Sequence, residues 1–179
     1  AVREILANAL IHQDLSISGM SPMVEVFSDR MEITSPGRLL PTIGVDRLID
    51  ATQESRNEGL ARFMRQLGIC EERGSGIDKA VAAIELYNLP PIEFFEGESS
   101  FKVTLLAPKK YKDMTQGERI LATYQHCVLK YVANQEMTNA SLRVRLGISE
   151  QNHPMVSRII KDQISNGRIR EIYNSMRLR

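Results

Sequence analysis

The sequence predicts an α+β chain in two parts: a two-layer helix-on-sheet unit reaching Pro108, then a smaller helical unit that closes in a winged helix-turn-helix. Three observations carry this. Apolar residues alternate in two pairs of short runs, Met23–Phe27 with Met31–Thr34 and Ile92–Phe95 with Phe101–Leu106, which is the period of half-buried hairpin strands. Stretches opening at Ala1, Asn57 and Ile77 repeat apolar residues at helical spacing. Charge also separates along the chain: residues 1–115 hold 13 Lys and Arg against 17 Asp and Glu, net −4, while residues 116–179 hold 10 against 5, net +5. An acidic part joined to a basic part is expected where one meets nucleic acid and the other does something else.

Composition sets the outer bounds. With 42% hydrophobic and 25% charged residues the chain is ordinary for a globular protein. No run approaches the roughly 18 apolar residues of a membrane span, so a cytoplasmic protein without membrane contact is expected. The chain lacks an initiator Met and its first residue already lies in a helical pattern, which reads as a fragment of something longer. Cys70 and Cys127 stand far apart without metal-ligand spacing and read as reduced thiols. His12, His126 and His153 form no ligand cluster, and His126 reads as a satisfied residue on a core helix.

In the first helix, Ala1–Asp14, the apolar face is Val2, Ile5, Leu6, Ala9 and Leu10. Glu4 and Asn8 are four apart and leave the same edge. An amide oxygen suits Mg²⁺, and a carboxylate one turn away can orient a water; taken alone, the pair reads more simply as a solvated edge of an amphipathic helix. The first hairpin ends at Ser35, Pro36 and Gly37, where the backbone can leave the sheet and approach a ligand. A short helix is expected over Gly44–Asp50 and a longer one over Asn57–Leu67, with Ser55 as its cap and Arg56 either facing a phosphate or, more simply, an ordinary surface charge. Gly74, Ser75 and Gly76 precede the helix Ile77–Tyr87, and a glycine-flanked turn feeding a helix start offers free N–H groups to an anion.

Residues 109–115, with Lys109, Lys110 and Lys112, read as a solvated linker. The helix Gly117–Asn134 follows, then a short helix capped by Thr138 or Asn139, a turn at Gly147 and a third helix Pro154–Ser165, which together make a helix-turn-helix. Val156, Ile159, Ile160 and Ile164 point inward by spacing. Ser157, Arg158 and Lys161 therefore lie outside, with Gln151 and Asn152 at the entrance, a set able to contact base edges and phosphates. Arg168 to Tyr173 and Met176 to Arg179 read as a two-stranded wing with Arg168 and Arg170 at its basic edge.

Glu4 and Asn8-Ala9, the strand ending Ser35-Pro36-Gly37, and Gly74-Ser75-Gly76 before a helix resemble the three successive boxes of the nucleotide-binding fold of gyrase, heat-shock chaperones, histidine kinases and mismatch-repair proteins. More closely, IHQD, DRMEITSPGRLLP, SRN and ERGSGI resemble the C-terminal region of bacterial proteins labelled transcriptional regulators or relatives of an ATP-dependent DNA helicase, over about residues 2 to 106. That resemblance implies a degenerate histidine-kinase-like ATPase fold over residues 1–108, with a Schlafen-like, divergent AAA domain before it and a winged helix, here 116–179, after it. It implies that Glu4 activates water, that Asn8 ligates Mg²⁺, and that ATP is held by Asn8, Ser35, Gly37, Gly74, Ser75 and Gly76. One departure matters. Active members have an adenine-binding Asp in the second box, and here Ser35 and Pro36 occupy the approach to Gly37, which argues against hydrolysis.

The function expected is a cytoplasmic bacterial regulator that binds double-stranded DNA through the winged helix and senses a ligand or assembles through the first domain. Two other classes stay open: a Mg²⁺-dependent ATPase acting with DNA, and a non-catalytic dimerisation scaffold. There is no GxxxxGK[ST] motif to support P-loop helicase chemistry.

Overall fold

The computed structural model describes residues 1–50, 54–70 and 76–172. Its sheet has four strands, β1 (Met23–Val26), β2 (Arg30–Pro36), β3 (Glu93–Glu96) and β4 (Ser100–Leu106), in the order β1-β2-β4-β3 with every pair antiparallel. The two hairpins expected from the alternation are therefore present, joined through β2 and β4. Register puts Ile33 opposite Val103 and Met31 opposite Leu105. One sheet face takes these apolar residues, while Glu32 on the other pairs with Lys102 at 3.0 Å and Arg30 at 2.7 Å. Pro36 is part of β2 rather than a terminator. It lies beyond the end of β1, whose pairing stops at Thr34, so its missing N–H leaves that neighbour intact.

Two helices cover the apolar face: α1 (Val2–His12) and α3 (Gly76–Leu86). Ile5 and Ala9 of α1 and Ala80, Val81 and Ile84 of α3 form one core with Ile33, Ile92, Val103 and Leu105. A separate small cluster joins Ala7 and Ile11 of α1 to Ala61 and Met64 of α2 (Glu58–Gln66). Two local expectations are corrected. The stretch from Gly44 forms only a short 3-10 turn, Val45–Arg47, which buries no side chain that could hold a longer helix. The N-cap of α2 is Asn57, not Ser55, and the Asn57 amide donates to the carbonyls of Ile11 (2.9 Å) and Gln13 (2.7 Å) instead of capping its own helix.

The C-terminal part contains α4 (Gln116–Val132), α5 (Asn139–Leu146) and α6 (His153–Ser165). Thr115 with Glu118 and Thr138 with Ser141 form reciprocal capping boxes at α4 and α5. Glu118 also accepts from Lys109 at 2.6 Å, so that lysine is a tether rather than solvated linker. Gly147 closes α5 at φ +62, and Pro154 stands in the first turn of α6. Met114, Ala122, Leu142, Leu146 and Val156 make the second core. Arg168 to Ile172 of the expected wing are in no strand among the described residues; the chain turns at Gly167 (φ +67) and the Arg168 N–H bonds back to Gln163 O at 3.0 Å. Tyr173 and Met176 to Arg179 lie outside the described residues.

Helix α4 serves both cores. Val128 and Leu129 pack against the first, Ala122 belongs to the second. The buried Gln125 amide takes both backbone groups of Ile92, donating to its carbonyl at 2.6 Å and accepting from its N–H at 3.3 Å, and Tyr124 Oη donates to Asp46 O at 2.7 Å. Among the described residues no helix is long and apolar enough to cross a membrane.

Candidate functional site: the cleft between the first and third helices

A cleft of about 170 Å³ opens between α1, the end of β2, the segment before α2 and the start of α3, floored by Ile5, Ala9, Ile33, Phe101 and Val103. The four-residue spacing of Glu4 and Asn8 delivers both to this cleft rather than to open solvent. Glu4 is buried, and its Oε1 accepts from Arg3 Nη2 at 2.8 Å and Nε at 3.1 Å. The Asn8 amide lies against the first residue of α3. A Cβ added to Gly76 would stand 3.0 Å from Asn8 Nδ2 and 3.4 Å from Oδ1, so the bare backbone is what lets the two helices meet here. The first-turn N–H groups of α3 and the amide of Asn8 thus share one end of the cleft.

Ser35 and Gly37 also line it, but local bonds occupy them. Ser35 Oγ donates to Ala9 O at 2.8 Å, which ties β2 to the middle of α1. Gly37 sits at φ +93, and a Cβ there would fall 2.6 Å from Asp14 Cβ. Its N–H donates to Ser99 O, and the Asp14 N–H donates to Pro36 O, each at 2.8 Å. The Ser-Pro-Gly turn therefore seats the exit of α1 on the end of the sheet. Gly74 and Ser75 lie outside the described residues.

Several cleft residues escape the sequence reading. Arg56, expected at the surface, is partly buried: its Nη1 donates to Asp14 Oδ2 at 3.1 Å, its Nη2 to Arg38 O, and its Nε is buried without a partner. It staples α1's exit to the segment before α2, contacts that pair residues 42 and 18 positions apart. Burial, helped by the Arg56 charge, lowers the pKa of His12, leaving its ring neutral near pH 7. Asp78, in the first turn of α3, is pushed up to about 6, chiefly by burial, with the charge of Asp50 adding to it. An acid in a first helical turn looks like an ordinary complement to the dipole, so the sequence gives no sign that it faces a cleft.

The residues assigned to DNA sit about α6. Gln151, Asn152, Arg158 and Lys161 are exposed, and so are Arg168 and Arg170 beyond its end. Asn152 Nδ2 donates to Ser149 Oγ at 3.1 Å. Ser157 departs from expectation: it is partly buried and its Oγ accepts from Asn139 Nδ2 at 2.9 Å, so it faces α5. Helical spacing separates an inner from an outer face but does not tell which flank meets the neighbouring helix.

A four-strand antiparallel sheet with helices on one face is consistent with an ATPase-like fold. Residues 19–105 match the family described as "Putative ATP-dependent DNA helicase recG C-terminal". The match takes in Ser35, Gly37 and Gly74 to Gly76 and begins after α1. The fold is similar to that of the DIP2311 protein from Corynebacterium diphtheriae, with a TM-score of 0.57 and 20% identity over 90% of this chain and 34% of that one. The chain thus spans about a third of that structure's length. No curated protein matches its sequence.

Proposed function

We propose that this chain is a nucleotide-responsive DNA-binding regulator, in which the cleft takes an adenine nucleotide with Mg²⁺ and the α5–α6 unit contacts duplex DNA. The observation that carries the reading is that the Asn8 amide and Gly76, the first residue of an 11-residue helix, line the same cleft so closely that a Cβ on Gly76 would stand 3.0–3.4 Å from the amide. Those residues suit the phosphate end of a nucleotide. Asn8 would supply one oxygen to Mg²⁺, an ion that keeps several waters and takes its other oxygens from phosphate. Among the described residues no group of three or more His, Cys, Asp or Glu could hold a metal ion.

The base end is built differently. Ser35, in the place where relatives carry an adenine-binding carboxylate, gives its hydrogen to Ala9 O and retains only acceptor capacity. Glu4 is held by Arg3. This supports binding over turnover, so the chain reads as a sensor in preference to an ATPase. For DNA, Arg158 and Lys161 are the phosphate contacts, while Gln151 and Asn152 remain the candidates for base edges.

The test is a thermal-shift titration with Mg-ATP and Mg-ADP on this chain and on Asn8→Ala, followed by duplex binding at several salt concentrations. Stabilisation in the parent and its loss in Asn8→Ala is expected, since a ligand at about 100 times its Kd contributes about 2.7 kcal/mol. Arg158→Ala with Lys161→Ala should weaken duplex binding and lower the salt slope by about 2. No shift with either nucleotide, or duplex binding indifferent to the pair, removes the corresponding half of the reading.

A further inference from the structure

Where α3, α4 and α5 meet, the structure buries a set of charged and polar groups that neither the cleft nor the DNA-facing surface uses. Glu85, in the last turn of α3, accepts from His126 Nδ1 at 2.8 Å through Oε2; a carboxylate only accepts, so the ring proton is on Nδ1. His126 Nε2 lies 3.0 Å from Ser141 Oγ on α5. Glu85 Oε1 forms an ion pair with Arg145 Nε, also on α5, at 3.3 Å, but the geometry makes no hydrogen bond, and Glu85 Oε1, Arg145 Nε and Arg145 Nη2 are all buried without a hydrogen-bond partner. Side-chain exposure is 15% for Glu85, 5% for His126 and 2% for Arg145. Just beyond α3, the Asn88 amide nitrogen donates to the carbonyls of Val144 (3.1 Å) and Arg145 (3.0 Å).

The Ser141, His126 and Glu85 distances match those of a nucleophile chain, but Ser141 Oγ is committed to the capping box. It accepts from the Thr138 N–H and donates to Thr138 O, both at 3.0 Å. The cluster is a joint.

One helix connects it to the cleft. Gly76, Ile77 and Asp78 of α3 line the cleft, and Glu85 follows Asp78 by seven residues, two turns on nearly the same stripe and about 10.5 Å along the axis. From the 3.3 Å separation observed, a sub-ångström shift of the end of α3 would close Glu85 Oε1 onto Arg145 as a hydrogen-bonded pair and satisfy buried groups that now lack such a partner.

We infer that Glu85, with His126 and Arg145, is the coupling site through which occupancy of the cleft reaches α5, and with it the α5–α6 unit. This rests on the nucleotide reading above and adds the route by which the cleft is felt elsewhere.

The experiment uses the full 179-residue chain and the double variant Glu85→Gln with Arg145→Met, which removes both charges while keeping size. Calorimetry gives the Kd for Mg-ATP. Amide hydrogen exchange over residues 139–146 is followed with and without Mg-ATP, and a 20-base-pair mixed-sequence duplex is titrated in both conditions. In the parent, Mg-ATP is expected to change α5 exchange and duplex affinity by at least about fivefold, and the duplex should change the Mg-ATP Kd by the same factor. The double variant should bind Mg-ATP within about twofold of the parent and show less than about twofold change in α5 exchange. Mg-ATP bound with α5 exchange unaltered in the parent, or an alteration that survives in the double variant, overturns the coupling and leaves the nucleotide reading standing. Absence of Mg-ATP binding in the parent removes both. If the double variant loses its cooperative melt, Glu85→Met with Arg145→Met carries the same comparison, since it removes both charges and leaves no buried amide half-paired.

Discussion

Asp78 and Glu85 stand two turns apart on α3, and they differ in what each faces. Glu85 meets two basic side chains, His126 at 2.8 Å and Arg145 at 3.3 Å, in a junction closed by three helices. Asp78 lines the cleft, is partly desolvated, and the charge that reaches it most is that of another acid, Asp50. One helix therefore carries a carboxylate whose burial is compensated within the fold and another whose burial is not. The first holds structure together. The second waits on solvent or a bound cation, which is how a carboxylate at a binding site differs from one in a joint.

The largest effect should come from breaking the compensated end. Burial lowers the pKa of Arg145, opposed by Glu85. Glu85→Gln leaves that guanidinium without a counter-charge, and truncating one partner of a buried pair costs about 3–5 kcal/mol. Urea denaturation should show that loss, whereas Glu85→Gln combined with Arg145→Met should recover most of it. A single-variant loss below about 1 kcal/mol would mean that Glu85 is not what makes the Arg145 charge tolerable, and the contrast with Asp78 would collapse.

The cleft end depends on backbone geometry more than on paired charge. Gly37→Ala asks a side chain to adopt φ +93 and to share space with Asp14 Cβ, 2.6 Å away. Left-handed strain and overpacking each cost about 1–3 kcal/mol, so a loss of ~3 kcal/mol is expected in the same denaturation assay. Because Asp14 holds Arg56, the variant should also loosen the cleft rim and weaken any Mg-ATP thermal shift, while exchange at α5 stays near that of the parent.

What the sequence makes legible follows the same division. Alternation placed both hairpins, and the apolar periodicity of α1, α3 and α4 placed the helices within a few residues, because each is a local pattern repeated over its own length. The meeting of Asn8 with Gly76 was within reach through the resemblance of their motifs, although they are 68 positions apart. The Arg56 staple was not. Its partners, Asp14 and Arg38, are ordinary surface types whose role exists only once α1 and α2 come together. The junction was equally hidden: Glu85, His126 and Arg145 lie on three helices, and nothing in their local spacing points to one another. At the wing, Arg168 to Ile172 read as strand but are in none, and the stretch expected to pair with them, Met176 to Arg179, lies outside the described residues.

The smallest expected effect belongs to Asp78, and pH gives it a sign. Its pKa rises from 3.8 to about 6 on folding, so between those values the folded chain holds a proton that the unfolded chain has released. Stability must then fall as pH rises from about 4 to about 6 and level off above. Asp78→Asn removes the charged form and should raise stability at pH 8 by ~1 kcal/mol, a figure reduced from the full shift because solvent reaches the group, with no gain at pH 4. Thermal melts at pH 4, 6 and 8 check it, the gain appearing as a few degrees. An equal gain at pH 4 would trace the effect to packing instead of charge. Repeating the pH 8 melts with Mg-ATP carries the comparison to the site: a cation seated by Asp78 stabilises its charged form, so the ligand shift should be larger in the parent than in Asp78→Asn, and equal shifts would place Mg²⁺ at Asn8 without help from this carboxylate.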